Sequence, residues 1–186
     1  MIILHPWTSG RTEDKLETWR TIAKATDGGY AIVSRNIDAP AAYFDLMKEF
    51  WGRDDLIVWE DDKVPTMADL KELVECGHAY CCFPYPVSFH FYTPMSLWGR
   101  NFPYTLGFVK FSKLVQENVP VSDWLPPDPA HPWPGWGLDR RIEEPMIKRF
   151  GPMHLHPRMI RHNHNRSIKG RLGGLKYQLS QAIRWR

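Results

Sequence analysis

Three carboxylates in a row, Glu60-Asp61-Asp62, follow the four apolar residues Leu56-Ile57-Val58-Trp59. Acids this close repel one another unless a cation or strong hydrogen-bond donors compensate them. Hard divalent cations such as Mg2+ and Mn2+ take carboxylate oxygen and then share phosphate oxygens with a substrate. Further along stand Asp139 and a group of histidines, His154, His156, His162 and His164. Carboxylate with imidazole is a ligand set suited to a Mn2+-like ion. On an extended chain His154 and His156 point the same way, as do His162 and His164. The same residues also fit a blander reading, in which a solvated acidic turn ends a strand and surface histidines bind nothing.

Positioning these groups falls to a run of alternating elements. Ile2 to His5 reads as a strand that ends in the turn Pro6-Trp7-Thr8-Ser9-Gly10. Thr12 suits the cap of a helix over about 13–25, with acids early in it as the helix dipole prefers. Leu16, Trp19, Ile22 and Ala23 give that helix a core-facing stripe. Gly28-Gly29 ends it, and residues 30–34 form a second strand. A helix over 39–51 leads to the buried strand that carries the acids. The order β-α-β-α-β favours a mostly parallel sheet with helical crossovers, and ligands of such sheets gather at the carboxyl ends of the strands. Thr66 caps a short helix, 67–76, and residues 79–83 form another strand. The aromatic, proline-rich stretch 84–104 is long for a loop and suits a binding wall or lid. A strand at 107–111, a helix at 113–118 capped by Ser112, and a helix at 138–150 interrupted near Pro145 complete the pattern.

The totals limit the classes. A chain of 186 residues with 43% hydrophobic and 24% charged residues suits one soluble domain with a tail. Net charge is only +3, but from Lys148 to Arg186 basic residues recur without one Asp or Glu. Such a tail fits contact with nucleic acid, an anionic membrane surface or an acidic partner, and equally a solvated tail. Cys76, Cys81 and Cys82 lack zinc-type spacing and read as reduced, buried thiols. The apolar start is too short for a signal peptide and no run is long enough to span a membrane. A cytoplasmic protein is the expectation, in the host cytoplasm if the chain is viral.

In the order of these parts the chain resembles a nucleotide-sugar-dependent glycosyltransferase of the GT-A fold, over residues 1–165, with 166–186 as a basic C-terminal tail or helix. Glu60-Asp61-Asp62 matches the acidic "DxD" element, with Glu in place of the usual first Asp. Leu106-Gly107-Phe108 matches the glycine segment at the sugar site. Trp136-Gly137-Leu138-Asp139 matches the acidic helix start, and 153–164 the closing strand with its histidine. Compact members of this kind resemble glycosyltransferase-like proteins of bacterial viruses, which implies modified bases of viral DNA among the acceptors.

The resemblance implies a Rossmann-related α/β fold and a metal-dependent sugar transfer to an acceptor hydroxyl. Asp62 and His162, with His164 as a further candidate, would hold Mn2+ or Mg2+ against the diphosphate of the donor. Asp61 would contact the sugar or the surroundings of the metal, and Glu60 the ribose or metal. Trp7, Thr8, Arg11, Arg35, Asn36 and Gly107 would bind the donor, although Arg35 also reads as a structural partner of Asp38. Asp139 would be the general base of an inverting enzyme, or an acid stabilising its helix terminus. The basic tail would hold phosphates of a DNA acceptor, or close over the donor diphosphate. Two rival classes remain: a non-catalytic nucleic-acid-binding protein, and a metal-dependent nuclease.

Overall fold

The computed structural model describes residues 1–10, 12–39, 41–85, 106–124 and 138–163. The readings that fall on residues 86–104 of the 84–104 wall, on Arg11, on Trp136 and Gly137, on His164 and on the tail from 166 onward lie outside them. Among the described residues the protein is a mixed α/β structure with a mostly parallel central sheet flanked by helices. Its strands are β1 (Ile2–Trp7), β2 (Ile32–Asn36), β3 (Leu56–Trp59), β4 (Lys63–Val64), β5 (Tyr80–Cys82), β6 (Phe108–Phe111), β7 (His154–Leu155) and β8 (Arg161–His162). Its helices are α1 (Thr12–Asp27), α2 (Ala42–Phe50), α3 (Met67–Glu75), α4 (Lys113–Asn118) and α5 (Leu138–Phe150).

Six strands form the central sheet in the order β2-β1-β3-β6-β5-β7. β1 pairs in parallel with β2 and β3, and β5 with β7, whereas β6 runs antiparallel to both its neighbours. Period-two alternation divides the core between the two faces. Leu4, Leu56 and Val58 point into one layer with Leu46 and Met47 of α2, Val115 of α4, and Ile142 and Met146 of α5. Ile3, Ile57 and Trp59 point into the other with Ala25 of α1 and Leu70 and Leu73 of α3. All four residues of β3 are fully buried, as expected for a strand covered on both faces.

The crossovers define where a ligand would sit. From β1 the chain passes to β2 on one side, then returns to β3 on the other side of β1. Right-handed crossovers in opposite directions put their helices on opposite faces. Accordingly α1 packs in one core layer and α2 in the other. The sheet therefore has a topological switch point between β1 and β3, and the crevice beyond their carboxyl ends is where open α/β sheets bind ligands.

Three local expectations are corrected. β2 runs two residues later than its sequence pattern suggests, so Arg35 and Asn36 lie in the strand, opposite Pro6 and Trp7. The buried side of α1 is Lys15, Thr18 and Ala25, while Leu16 and Trp19 are exposed at 46% and 38%. That helix turns a polar stripe inward because its side chains serve the acids at the end of β3. α5 continues through Pro145. Ile142 and Met146 on either side of the proline are fully buried, so packing holds both halves although one backbone hydrogen bond is lost.

Candidate functional site

The chain after β3 turns sharply, with Lys63 N donating to the Glu60 carbonyl at 3.2 Å. This turn parts the three acids, so that Asp61 meets one lysine while Glu60 and Asp62 meet another. Asp61 reaches the switch point. Its Oδ2 accepts the Thr8 backbone N–H at 2.9 Å and lies 2.8 Å from the Lys15 ammonium. Lys15 Nζ also donates to Thr8 Oγ1 at 2.7 Å and to the Thr8 carbonyl. The first loop of the β1–α1 crossover is thus tied to the end of β3 by a buried ion pair.

Glu60 and Asp62 share the second lysine. Lys63 Nζ lies 3.1 Å from Glu60 Oε2 and pairs with Asp62 Oδ1. Its side chain is 3% exposed, so the ammonium depends on these carboxylates. Burial alone would lower its pKa, but Glu60 and then Asp62 outweigh that effect and hold it above the usual lysine value. The ammonium also sits 4.3 Å from the centre of the Tyr85 ring. Its backbone is held too: the Lys63 carbonyl accepts from Thr18 Oγ1 at 2.9 Å and from the Trp59 indole at 3.1 Å.

The cations that answer the repulsion expected among the acids are therefore two lysines of the chain itself. Neither was singled out from the sequence. Lys15 stands among the acids at the start of α1, and Lys63 follows the three acids directly in sequence.

His162 arrives from the far end of the chain. β8 pairs antiparallel with β4, setting His162 opposite Lys63 and Arg161 opposite Val64. The backbone of Asn163 donates to the Asp62 carbonyl at 2.9 Å, and His162 Nε2 lies 3.1 Å from Asp62 Oδ2. Of the three described histidines in this run, His162 is the one that meets the acids after β3. His154 and His156 lie at β7, on the edge of the other sheet.

Two phenols, the buried Tyr85 and the half-buried Tyr43, complete the floor. Tyr43 of α2 donates to Glu60 Oε1 at 3.0 Å. Burial, and then the charge of Glu60, pushes its pKa well up, with a further contribution from Asp139. Tyr85 is raised by burial, then by Glu60, Asp62 and Asp139. Asp139 stands in the first turn of α5, and its charge adds to the rise of both phenols after those of the acids of β3. His5 of β1 meets the last residue of β3, its Nδ1 lying 2.9 Å from the Trp59 carbonyl. Burial lowers its pKa against the opposing influence of that carbonyl and of Asp61.

The remaining expected residues line the outer strand ends. Asn36 Nδ2 donates to Ser9 Oγ at 3.2 Å and to Asp38 Oδ2 at 3.1 Å, and Ser9 N donates to Asp38 Oδ1 at 3.0 Å. Hydrogen bonds from Ser9, then from Asn36, hold the Asp38 carboxyl below its usual range. Arg35 is not the partner of Asp38: its guanidinium lies 2.7 Å from Glu49 of α2. Trp7 meets the half-exposed Trp19 edge-on, with ring centres 6.3 Å apart.

Gly107 is required by close approach. A Cβ there would lie 2.5 Å from Lys63 Cε, 2.6 Å from Tyr85 Cε1 and 2.7 Å from the Tyr85 hydroxyl. Tyr85 is buried, and Lys63 is held at its ammonium and at its carbonyl, so neither yields easily. Gly107→Ala is expected to cost about 1–3 kcal/mol, the usual penalty of overpacking. Urea denaturation measures it; a loss below about 0.5 kcal/mol, the size of an ordinary surface change, would mean that the Lys63–Tyr85 contact is loose.

No family model matches the chain, and no curated protein matches it in sequence. Solved structures with a similar course of chain include a glycosyltransferase involved in the glycosylation of the major capsid of PBCV-1. It is 11% identical with a TM-score of 0.46, over 98% of this chain and 100% of that one. Another is a putative glucose-1-phosphate thymidylyltransferase from Bacillus anthracis in complex with a sucrose. It is 10% identical with a TM-score of 0.41, over 94% of this chain and 75% of that one. At such scores neither likeness assigns a function; what bears on function is the site itself. Among the described residues no helix is long and apolar enough to cross a membrane.

Proposed function

We propose that the chain is a glycosyltransferase that moves a sugar from a nucleotide-sugar donor to an acceptor hydroxyl. The observation that carries this reading is the convergence at the switch point. Three acids, two buried ammonium groups and His162 meet beyond the carboxyl ends of β1 and β3. A structural role alone needs no such density of buried charge, since well-packed apolar residues do as well or better.

In this reading the donor lies across the ends of β1, β2 and β3. Thr8 and Asn36 face its nucleoside half, Trp7 offers an aromatic surface, and Asp61 and Glu60 orient sugar hydroxyls. Arg35, paired with Glu49 on the exposed side, contributes charge near the strand ends, and Arg11 follows the same turn in sequence. Lys15 and Lys63 bring positive potential close to the diphosphate.

Asp62 and His162 fit a divalent cation. Their facing atoms are 3.1 Å apart, close to the separation of neighbouring corners, about 3 Å, around an octahedral ion with bonds of about 2.1 Å. Two protein ligands, with the remaining positions left to water and phosphate, is an ordinary arrangement for Mg2+ and suits Mn2+ equally. His164, two residues on, is the further candidate ligand. A bound Mn2+ or Mg2+ would supply Lewis-acid neutralisation of the departing nucleoside diphosphate. Asp139 accepts the proton of the acceptor hydroxyl as its oxygen bonds to the sugar carbon and the bond from that carbon to the diphosphate breaks. The basic C-terminal segment favours a polyanionic acceptor, such as a modified base in DNA of a bacterial virus.

Thermal unfolding with Mn2+ or Mg2+ and a panel of nucleoside diphosphates and nucleotide sugars tests this. A ligand that binds only the folded state raises the apparent stability, by about 2.7 kcal/mol at a hundredfold excess over Kd. The expected result is a metal-dependent rise with one nucleotide family, lost in Asp62→Ala. A rise with DNA alone, and with no donor, would replace the transferase by a binding module or a nuclease.

A further inference from the structure

The two histidines left out of the acidic site have partners of their own. His154 and His156 flank Leu155 at β7, and their rings meet edge-on with centres 5.2 Å apart. β7 pairs in parallel with β5, the strand that follows α3 and its C-cap, Cys76. This brings the thiol of Cys76 beside both imidazoles. The ligand-type atoms of Cys76, His154 and His156 all lie within 4.8 Å of one another.

His156 carries the second, independent sign of a ligand. Its ring is 4% exposed and stacks on Phe83 at 4.2 Å, nearly parallel. Its Nδ1 is held by Glu72 Oε1 at 2.7 Å, and Arg158 fixes Glu72 in turn while reaching Asp69 at 3.0 Å. The other nitrogen, Nε2, is buried and has no hydrogen-bond partner among the described residues. An imidazole nitrogen left bare in this way carries a desolvation cost. A carboxylate on one nitrogen and a metal on the other is the arrangement that orients a ligating histidine and makes it more basic.

We propose that Cys76, His154 and His156 bind a zinc ion, at a site separate from the acids of β3. Thiolate and imidazole are the donors zinc prefers, and the absence of any carboxylate from the set disfavours Mg2+ or Mn2+. Tetrahedral zinc with bonds of about 2.0–2.3 Å spaces its ligand atoms about 3.5 Å apart, so rotamer shifts of about 1 Å close the set. The fourth position goes to water, and the His78 ring, stacked on His154 at 3.8 Å, supports that imidazole. Lys110 steadies the Cys76 corner by donating to the carbonyls of Val74 and Cys76, both at 2.8 Å. Binding displaces the Cys76 thiol proton to solvent. The ion would staple the end of α3 to β7, the two-residue edge strand from which the chain runs on to β8 and His162.

The test uses the full chain, stripped with a chelator and titrated with Zn2+ or Co2+ alone. One equivalent of Zn2+ is expected to bind and raise the melting temperature. Co2+ is expected to give the intense thiolate charge-transfer absorption of a sulfur-ligated ion. Cys76→Ser should abolish that absorption and weaken Zn2+ at least a hundredfold, and Glu72→Gln should weaken it about 10–100-fold, as loss of a ligand-orienting carboxylate does. Asp62→Ala should leave both readings unchanged, which separates this site from the donor site. Near-ultraviolet circular dichroism of the metal-free variants verifies their fold, and His156→Gln provides a second deletion should Cys76→Ser fail to fold. No stoichiometric binding, binding indifferent to both variants, or binding lost in Asp62→Ala would overturn the proposal.

Discussion

Lys63→Met is expected to remove about 3–5 kcal/mol of stability at neutral pH, the range found when one partner of a buried ion pair is deleted. Methionine keeps the length of the stem and its contact with Tyr85, so little is lost in packing. What remains is Glu60 and Asp62, side by side, without the ammonium that both contact. Asp62 keeps His162 and Glu60 keeps Tyr43, but a neutral phenol does not balance a carboxylate. The triple variant Lys63→Met, Glu60→Gln, Asp62→Asn removes the charges together and should regain most of the loss, because a whole buried pair replaced by neutral groups is often tolerated.

Linkage gives this variant a second signature. The folded state holds the Lys63 pKa above its usual value of 10.5. A raised lysine stabilises fully at pH values below the unfolded value, and that contribution disappears as pH climbs through the folded one. The gap between wild type and Lys63→Met should therefore be constant across neutral pH and narrow only above about 10.5. Urea denaturation at a series of pH values measures both. A loss under about 1 kcal/mol, as for exposed pairs, would mean that water screens the cluster and that the lysine is a surface partner.

How much of this was legible in the sequence follows from which forces are local. The first half was readable because apolar runs, caps and glycines act over a few residues: β1, α1, β2, α2 and β3 appear in the expected order, and Thr66 and Ser112 cap the helices they precede. The acids were readable for the same reason, as unlike neighbours at the end of an apolar strand. The direction of β6 was not, since parallel and antiparallel strands share one alternation and the choice lies with tertiary pairing.

The inward face of α1 was misread because hydrophobic periodicity assumes an apolar core. Here the buried positions Lys15 and Thr18 bond to Asp61, Thr8 and the Lys63 carbonyl, and the tryptophan meant for the interior stands against Trp7. The histidine run failed in another way. Spacing along the chain joined histidines that the fold divides, His162 to Asp62 and His154 with His156 to Cys76. Cysteine spacing gave no hint of the latter, because its partners come from a distant strand. Local chemistry was visible, and its pairing was not.

Asp139→Asn should lower turnover about 10²–10⁴-fold, the usual contribution of a positioned general base. The substitution keeps shape and removes the charge. Nothing in the donor-binding set changes, so the melting-temperature rise with donor and metal should stay as in the wild type, and the fall should appear in kcat. The pH–rate profile should lose its acidic limb, since the group whose deprotonation it reports is gone. The competing role is that of an acid in the first turn of α5, stabilising the helix terminus. That role predicts a different pattern: a stability loss of about 0.3–1 kcal/mol with turnover nearly unchanged. Asp139 lies at the helix start in both cases, so the split between turnover and stability decides between the two roles. Product stereochemistry completes the test. Inversion at the sugar carbon together with the lost acidic limb assigns the base to Asp139, whereas retention would assign it to orienting the substrates and shift the effect from kcat to KM.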